Sequence, residues 1–105
     1  VPRPGALRRR EDFEKTLRGG RRTSVAGISI VAAARDDDGA PRVGLAVRAS
    51  TAVRRNRIKR RIRAAVAEAD VRGVDLVVRA EESAAGREYQ EMVEAIRRAA
   101  GRVRA

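Results

Sequence analysis

The spacing of apolar positions shifts along the chain from helical to alternating and back, and each shift marks a candidate element. Phe13 and Leu17 share a face at i,i+4 behind Glu11, Asp12 and Glu14, acids that suit the positive end of a helix, and Gly19-Gly20 ends this short first helix. Residues 24–34 carry no charge and include Val25, Ile28, Ile30 and Val31, while Val43, Leu45 and Val47 alternate strictly across 42–48, so both segments predict strands. Asp36-Asp37-Asp38-Gly39 supplies turn chemistry between them and predicts an antiparallel hairpin. From Thr51, a capping residue, Ile58, Ile62, Ala65, Val66 and Ala69 recur at threes and fours as a helix that Gly73 ends. Residues 74–80, with Leu76, Val77 and Val78, predict another strand, and Tyr89, Met92, Val93, Ile96 and Ala100 stripe a final helix.

This order predicts an α+β fold: a small mixed sheet of about four strands flanked by helices. At 105 residues the chain has room for one domain, 1–105, with residues 1–8 as a flexible basic arm leading into Arg8-Arg9-Arg10. Hydrophobic residues make up 43% of the chain, but 20 of them are Ala and only 23 are Leu, Ile, Val or Phe, so the core is expected to be thin and folding marginal at low salt.

Charge narrows the function. Lys and Arg total 25 against 14 Asp and Glu, a net charge of +11, and 23 of the 25 are Arg, which points to a polyanionic partner. Neither Cys nor His is present, which removes disulfides, thiol nucleophiles, histidine acid–base pairs and Cys or His zinc sites. No run approaches 18 apolar residues and no apolar signal opens the sequence, so a soluble, intracellular protein without membrane contact is expected.

The basic residues concentrate between Arg48 and Arg63, where seven Arg and one Lys occur without a single acid. At about 100° per residue, Asn56, Arg60 and Arg63 fall nearly opposite the Ile58–Ile62 arc, with Arg57 and Lys59 on its flanks. Guanidinium forks grip phosphate bidentately and an Asn amide both donates and accepts, so this face reads as a nucleic-acid surface. An ordinary solvated helix face would interleave acids at i,i+4, and none appears before Glu68. Charge alone leaves DNA and RNA equal. Phe13 is either a stacking platform for a base or a core residue of the first helix. Ser50 and Thr51 fit a phosphate site or plain helix capping, and Asp36 to Asp38 suit a turn far better than a magnesium site of an independent nuclease.

The run Arg55-Asn56-Arg57-Ile58-Lys59-Arg60-Arg61-Ile62-Arg63, preceded by Ala52-Val53, resembles the signature of the bacterial ribonuclease P protein component. Leu7 to Phe13, Arg42 to Val47 and Val74 to Ala80 extend the likeness along nearly the whole chain. The resemblance implies a non-catalytic protein subunit of a cytoplasmic ribonucleoprotein endonuclease that removes the 5′ leader of precursor tRNA, with magnesium and the catalytic centre on the RNA. It implies that Arg54, Arg55, Asn56, Arg57, Lys59, Arg60 and Arg63, with Arg48 nearby, meet the ribonuclease P RNA, and that Phe13 and Leu17 line a leader cleft. It also implies a left-handed strand–helix–strand crossover, where the default is right-handed. The chain departs from the family at Arg48-Ala49-Ser50-Thr51, about two residues short and lacking the usual Lys pair, and Leu17 replaces an aromatic. The alternative is a general RNA- or DNA-binding module, such as a ribosome-associated protein, with no processing role.

Overall fold

The computed structural model describes residues 4–25, 27–86 and 88–104. Its five-stranded sheet runs β1-β4-β5-β3-β2, built from β1 (Gly5–Ala6), β2 (Arg21–Val25), β3 (Ile28–Ala34), β4 (Arg42–Val47) and β5 (Val74–Ala80). Helix α1 (Arg10–Gly19) follows β1, α2 (Ala52–Ala69) joins β4 to the parallel β5, and α3 (Tyr89–Arg104) closes the chain after a short 3₁₀ turn, Glu82–Gly86. The strand–helix–strand unit anticipated between residues 42 and 80 is therefore present.

The strand pairing differs from the anticipated hairpin. β3 and β4 do not pair; β5 lies between them, antiparallel to β3 and parallel to β4. The reason is burial: six of the seven residues of β5 are buried, and a strand covered on both faces belongs in the middle of a sheet. The segment after β3 instead passes over the end of β5, where Arg35 N–H donates to Gly73 O at 2.8 Å and Gly73 N–H donates to Gly39 O at 2.8 Å. The antiparallel hairpin is β2–β3, with Gly27 at φ +80° in its turn, so the apolar stretch 24–34 is two strands rather than one. Residue 26 of that stretch lies outside the described residues.

Two further expectations are corrected. Asp70, in the left-handed conformation at φ 51°, ends α2, whereas Gly73 at φ +65° leads into β5; a side chain on Gly73 would strike the Arg104 guanidinium. The basic arm is docked over part of its length. Gly5 and Ala6 pair with Arg42 and Val43, Leu7 N–H donates to Val43 O at 3.0 Å, and the Leu7 side chain is buried. Residues 1–3 of that arm lie outside the described residues.

α2 and α3 pack on one face of the sheet. Ile58, Ile62 and Val66 of α2 and Val93 and Ile96 of α3 meet Ile30, Leu76 and Val78 in the main core, with Ala65, Ala95 and Ala99 allowing close approach. α1 lies on the other face over a smaller cluster, Leu7, Val31 and Val77, against which Phe13 and Leu17 pack half-buried. The shortage of large apolar residues is met by this division: alanines thin the helix–sheet spacing on one side, and a single short helix covers only part of the other.

Candidate nucleic-acid interface

Thr51 starts α2 as expected, its Oγ1 accepting the Arg54 N–H at 3.1 Å. The helix turns Ile58, Ile62, Ala65, Val66 and Ala69 into the core and thereby fixes the opposite face toward solvent. Asn56, Arg57, Arg60 and Arg63 are exposed, and Arg55 and Lys59 half-exposed. Among the described residues, none of these six, nor exposed Arg48, enters a side-chain hydrogen bond or ion pair with the protein. Arg61 belongs to the other side of the helix, its guanidinium 5.7 Å from the Tyr89 ring centroid in cation–π range. Arg54 is the exception within the expected set: its Nη1 donates to Glu82 Oε1 at 2.7 Å.

Elsewhere several acids are matched. Asp75, buried at 8% exposure, accepts from Arg42 Nε at 2.9 Å and Nη2 at 2.7 Å and from Arg35 Nη1 at 3.2 Å. Asp37 accepts from Arg35 Nη2 at 2.5 Å, Asp38 from Arg104, and Glu94 from Arg97. The positive charge left over is thus concentrated by the pairing of the rest, and α2 carries a large share of it.

The sheet face under α1 is organised in register rows. The first row, Arg42–Asp75–Ala33, holds the ion pairs, and Arg42 also reaches Asp12 of α1 at 3.7 Å. The second, Gly44–Val77–Val31–Arg22, is apolar at its centre, and the Phe13 ring packs against Gly44; a Cβ there would stand 2.7 Å from Phe13 Cζ. Phe13 therefore acts as a core residue on the face it turns to the sheet. The third row, Ala46–Arg79–Ser29–Ser24, emerges beyond α1 and floors an open groove of about 710 Å³. Phe13 and Leu17 stand one row away from that floor and do not line it. Arg79, Ser29 and Ser24 escape sequence reasoning. Their signal is the polar position in otherwise apolar strands, legible only once the register is known. Arg48 lines both this groove and a second one, about 660 Å³, at the start of α2, so the two surfaces are continuous.

The family model of ribonuclease P matches residues 1–104. The chain belongs to the ribonuclease P protein family. It is 36% identical over 98 residues to the ribonuclease P protein component of Gluconacetobacter diazotrophicus, covering 88% of this chain and 84% of that one. Two solved structures share its fold. The ribonuclease P protein of Thermotoga maritima superposes with a TM-score of 0.73 at 21% identity over 95% of this chain and 98% of that one. That of Staphylococcus aureus gives 0.72 at 20% identity over 94% of each. Within this ribonuclease P protein the Arg55-Asn56-Arg57 signature occupies the second turn of α2, where Asn56 and Arg57 project from the uncompensated face. Among the described residues no helix is long and apolar enough to cross a membrane.

Proposed function

We propose that this subunit of the ribonuclease P holoenzyme binds the catalytic RNA through the α2 face and the 5′ leader of precursor tRNA through the groove floored by Arg79, Ser29 and Ser24. The observation that carries the reading is the row Arg55, Asn56, Arg57, Lys59, Arg60 and Arg63, without side-chain partners among the described residues on a helix whose other face is core. Arginine on a rigid helix presents fixed forks to a folded phosphate backbone and loses little freedom on binding. The adjoining groove is open and suits an extended single strand; Arg48 and Arg79 neutralise its phosphates, and with no aromatic among its lining residues it reads backbone rather than base. Bound at both surfaces, the protein holds the substrate against the RNA and screens the repulsion between two polyanions.

In this reading the divalent ions belong to the RNA, and the work is done in the cytoplasm. The protein's adjacent carboxylates do not suit magnesium, because Asp37 is held by Arg35 and the Gly39 N–H, and Asp38 by Arg104. The deciding experiment mixes the protein with a bacterial ribonuclease P RNA at low magnesium and follows cleavage of precursor tRNA. Cleavage stimulated by the wild-type protein is expected. Arg57→Ala and Arg60→Ala should each weaken RNA binding and lower its salt dependence by about one unit of log–log slope. Binding without stimulation would instead mark a general RNA-binding module.

A further inference from the structure

Glu82 stands where an RNA phosphate would be expected. Ser50 and Thr51 precede α2 as a candidate anion site, and a carboxylate of the protein itself occupies it: Glu82 accepts from Ser50 Oγ at 2.7 Å, Ser50 N–H at 3.3 Å and Arg54 Nη1 at 2.7 Å. Arg54 Nη1 also donates to Ser50 Oγ at 3.2 Å, which ties the three residues together.

Capping does not account for this arrangement. Thr51 already caps α2, and Ser50 N–H lies outside the helix. Nor does burial, since the Arg54 and Glu82 side chains are 62% and 39% exposed and an ion pair in that setting is weak. The cluster opens onto the groove at the start of α2, where Arg48 and Arg55 stand without side-chain partners among the described residues, and the continuous block 48–63 has no acid of its own. Glu82 enters from 28 residues beyond Arg54 and brings a negative charge to a wall otherwise suited to phosphate, with Glu81 beside it.

Resting on the assignment of α2 to RNA, we infer that Ser50 and Arg54 form a phosphodiester-binding site whose resident in the free protein is the Glu82 carboxylate, and that RNA displaces it. The exchange breaks one exposed ion pair and forms another with the polyanion, and condensed counterions released from the RNA drive it. Glu82 is held below the usual carboxylate range, chiefly by Arg54 and then by Ser50, as a phosphate stand-in should be.

The test titrates wild type, Glu82→Gln, Arg54→Ala and the double variant against a bacterial ribonuclease P RNA alone, and the reconstituted holoenzyme against precursor and mature tRNA. Glu82→Gln should bind roughly three- to tenfold more tightly at about 0.1 M salt, with the log–log slope unchanged, because the same phosphate contact forms in the wild type once Glu82 has been displaced. Arg54→Ala should cost more in the Glu82→Gln background than alone. A gain with RNA alone assigns the phosphate to the catalytic RNA, and a gain confined to precursor tRNA assigns it to the substrate. Unchanged or weaker binding in both arms overturns the inference. Arg57→Ala is the control: if it too binds like wild type, the α2 assignment itself fails, whereas loss there with no effect of Glu82→Gln sinks only the role of Glu82. Should Glu82→Gln lower the melting temperature, the carboxyl titration of Glu82 in the wild-type protein decides: it should rise toward the ordinary carboxylate range on saturation with RNA, and an unmoved titration refutes displacement.

Discussion

Asp37 illustrates how single residues settle where charge is neutralised. Its carboxylate accepts from Arg35 Nη2 and, at 2.8 Å, from the Gly39 N–H, and these contacts lower its pKa from 3.8 to about 2, with Arg35 the larger cause. A carboxylate with a depressed folded-state pKa adds stability that is complete above its unfolded value and is lost as pH falls through the folded one. The contribution of Asp37 should therefore persist through mild acid and disappear between about pH 4 and pH 2. A carbon-detected NMR titration should find its midpoint near 2; a midpoint near the ordinary 3.8 would show that the Arg35 contact is absent in solution. The same Arg35 reaches Asp75, so one guanidinium fastens the 35–41 crossing to the end of β5. In the sequence these aspartates signal a turn, and a turn they do make, but their choice of Arg35 and Arg104 as partners depends on contacts 2 and 66 residues apart, and only the first is local.

Among the elements, α1 has the narrowest support: it seats Phe13 on Gly44 and Leu17 on the small Val31–Val77 cluster. Gly44 is required there by close approach, because any Cβ would enter the Phe13 ring. Gly44→Ala should force α1 outward and destabilise the fold by about 1–3 kcal/mol in denaturant titration. Equal stability would mean that the ring does not rest on the sheet. Helices were readable from the sequence because their information is local: the i,i+4 stripes of α2 and α3, the Thr51 cap and the unbroken basic block all lie within a few turns. Sheet order was not, since a turn signal such as Asp38-Gly39 looks alike whether the next strand pairs or crosses over. The continuous apolar run of β5 was the available clue that this strand is central, and Gly27 the clue that 24–34 reverses. For the same reason the basic half of the candidate site was legible and the Arg79 row was not, because that row exists only when β2, β3, β5 and β4 are aligned.

For the molecule as a whole, the decisive quantity is a net charge of +11 on a chain with a Cα radius of gyration of 12.5 Å. Ion pairing at Asp37, Asp38 and Asp75 consumes charge at one end of β5, while Arg48 and the α2 row stay uncompensated toward the other. Self-repulsion there opposes folding, and an anion that binds only the folded arrangement opposes unfolding. Screening and binding are separable by experiment. At matched ionic strength, simple screening predicts equal melting temperatures in chloride and sulfate, whereas a folded cationic site predicts a higher one in sulfate. A ribonuclease P RNA at 100 times its Kd should add about 2.7 kcal/mol. For a domain of this size that is roughly 10 °C or more. Arg57→Ala combined with Arg60→Ala should remove most of the RNA-specific increment while leaving the melting temperature in chloride unchanged or slightly higher, since repulsion within α2 is relieved. If the double variant melts lower in chloride and gains as much from RNA as the wild type, the charge on α2 serves the fold rather than the partner.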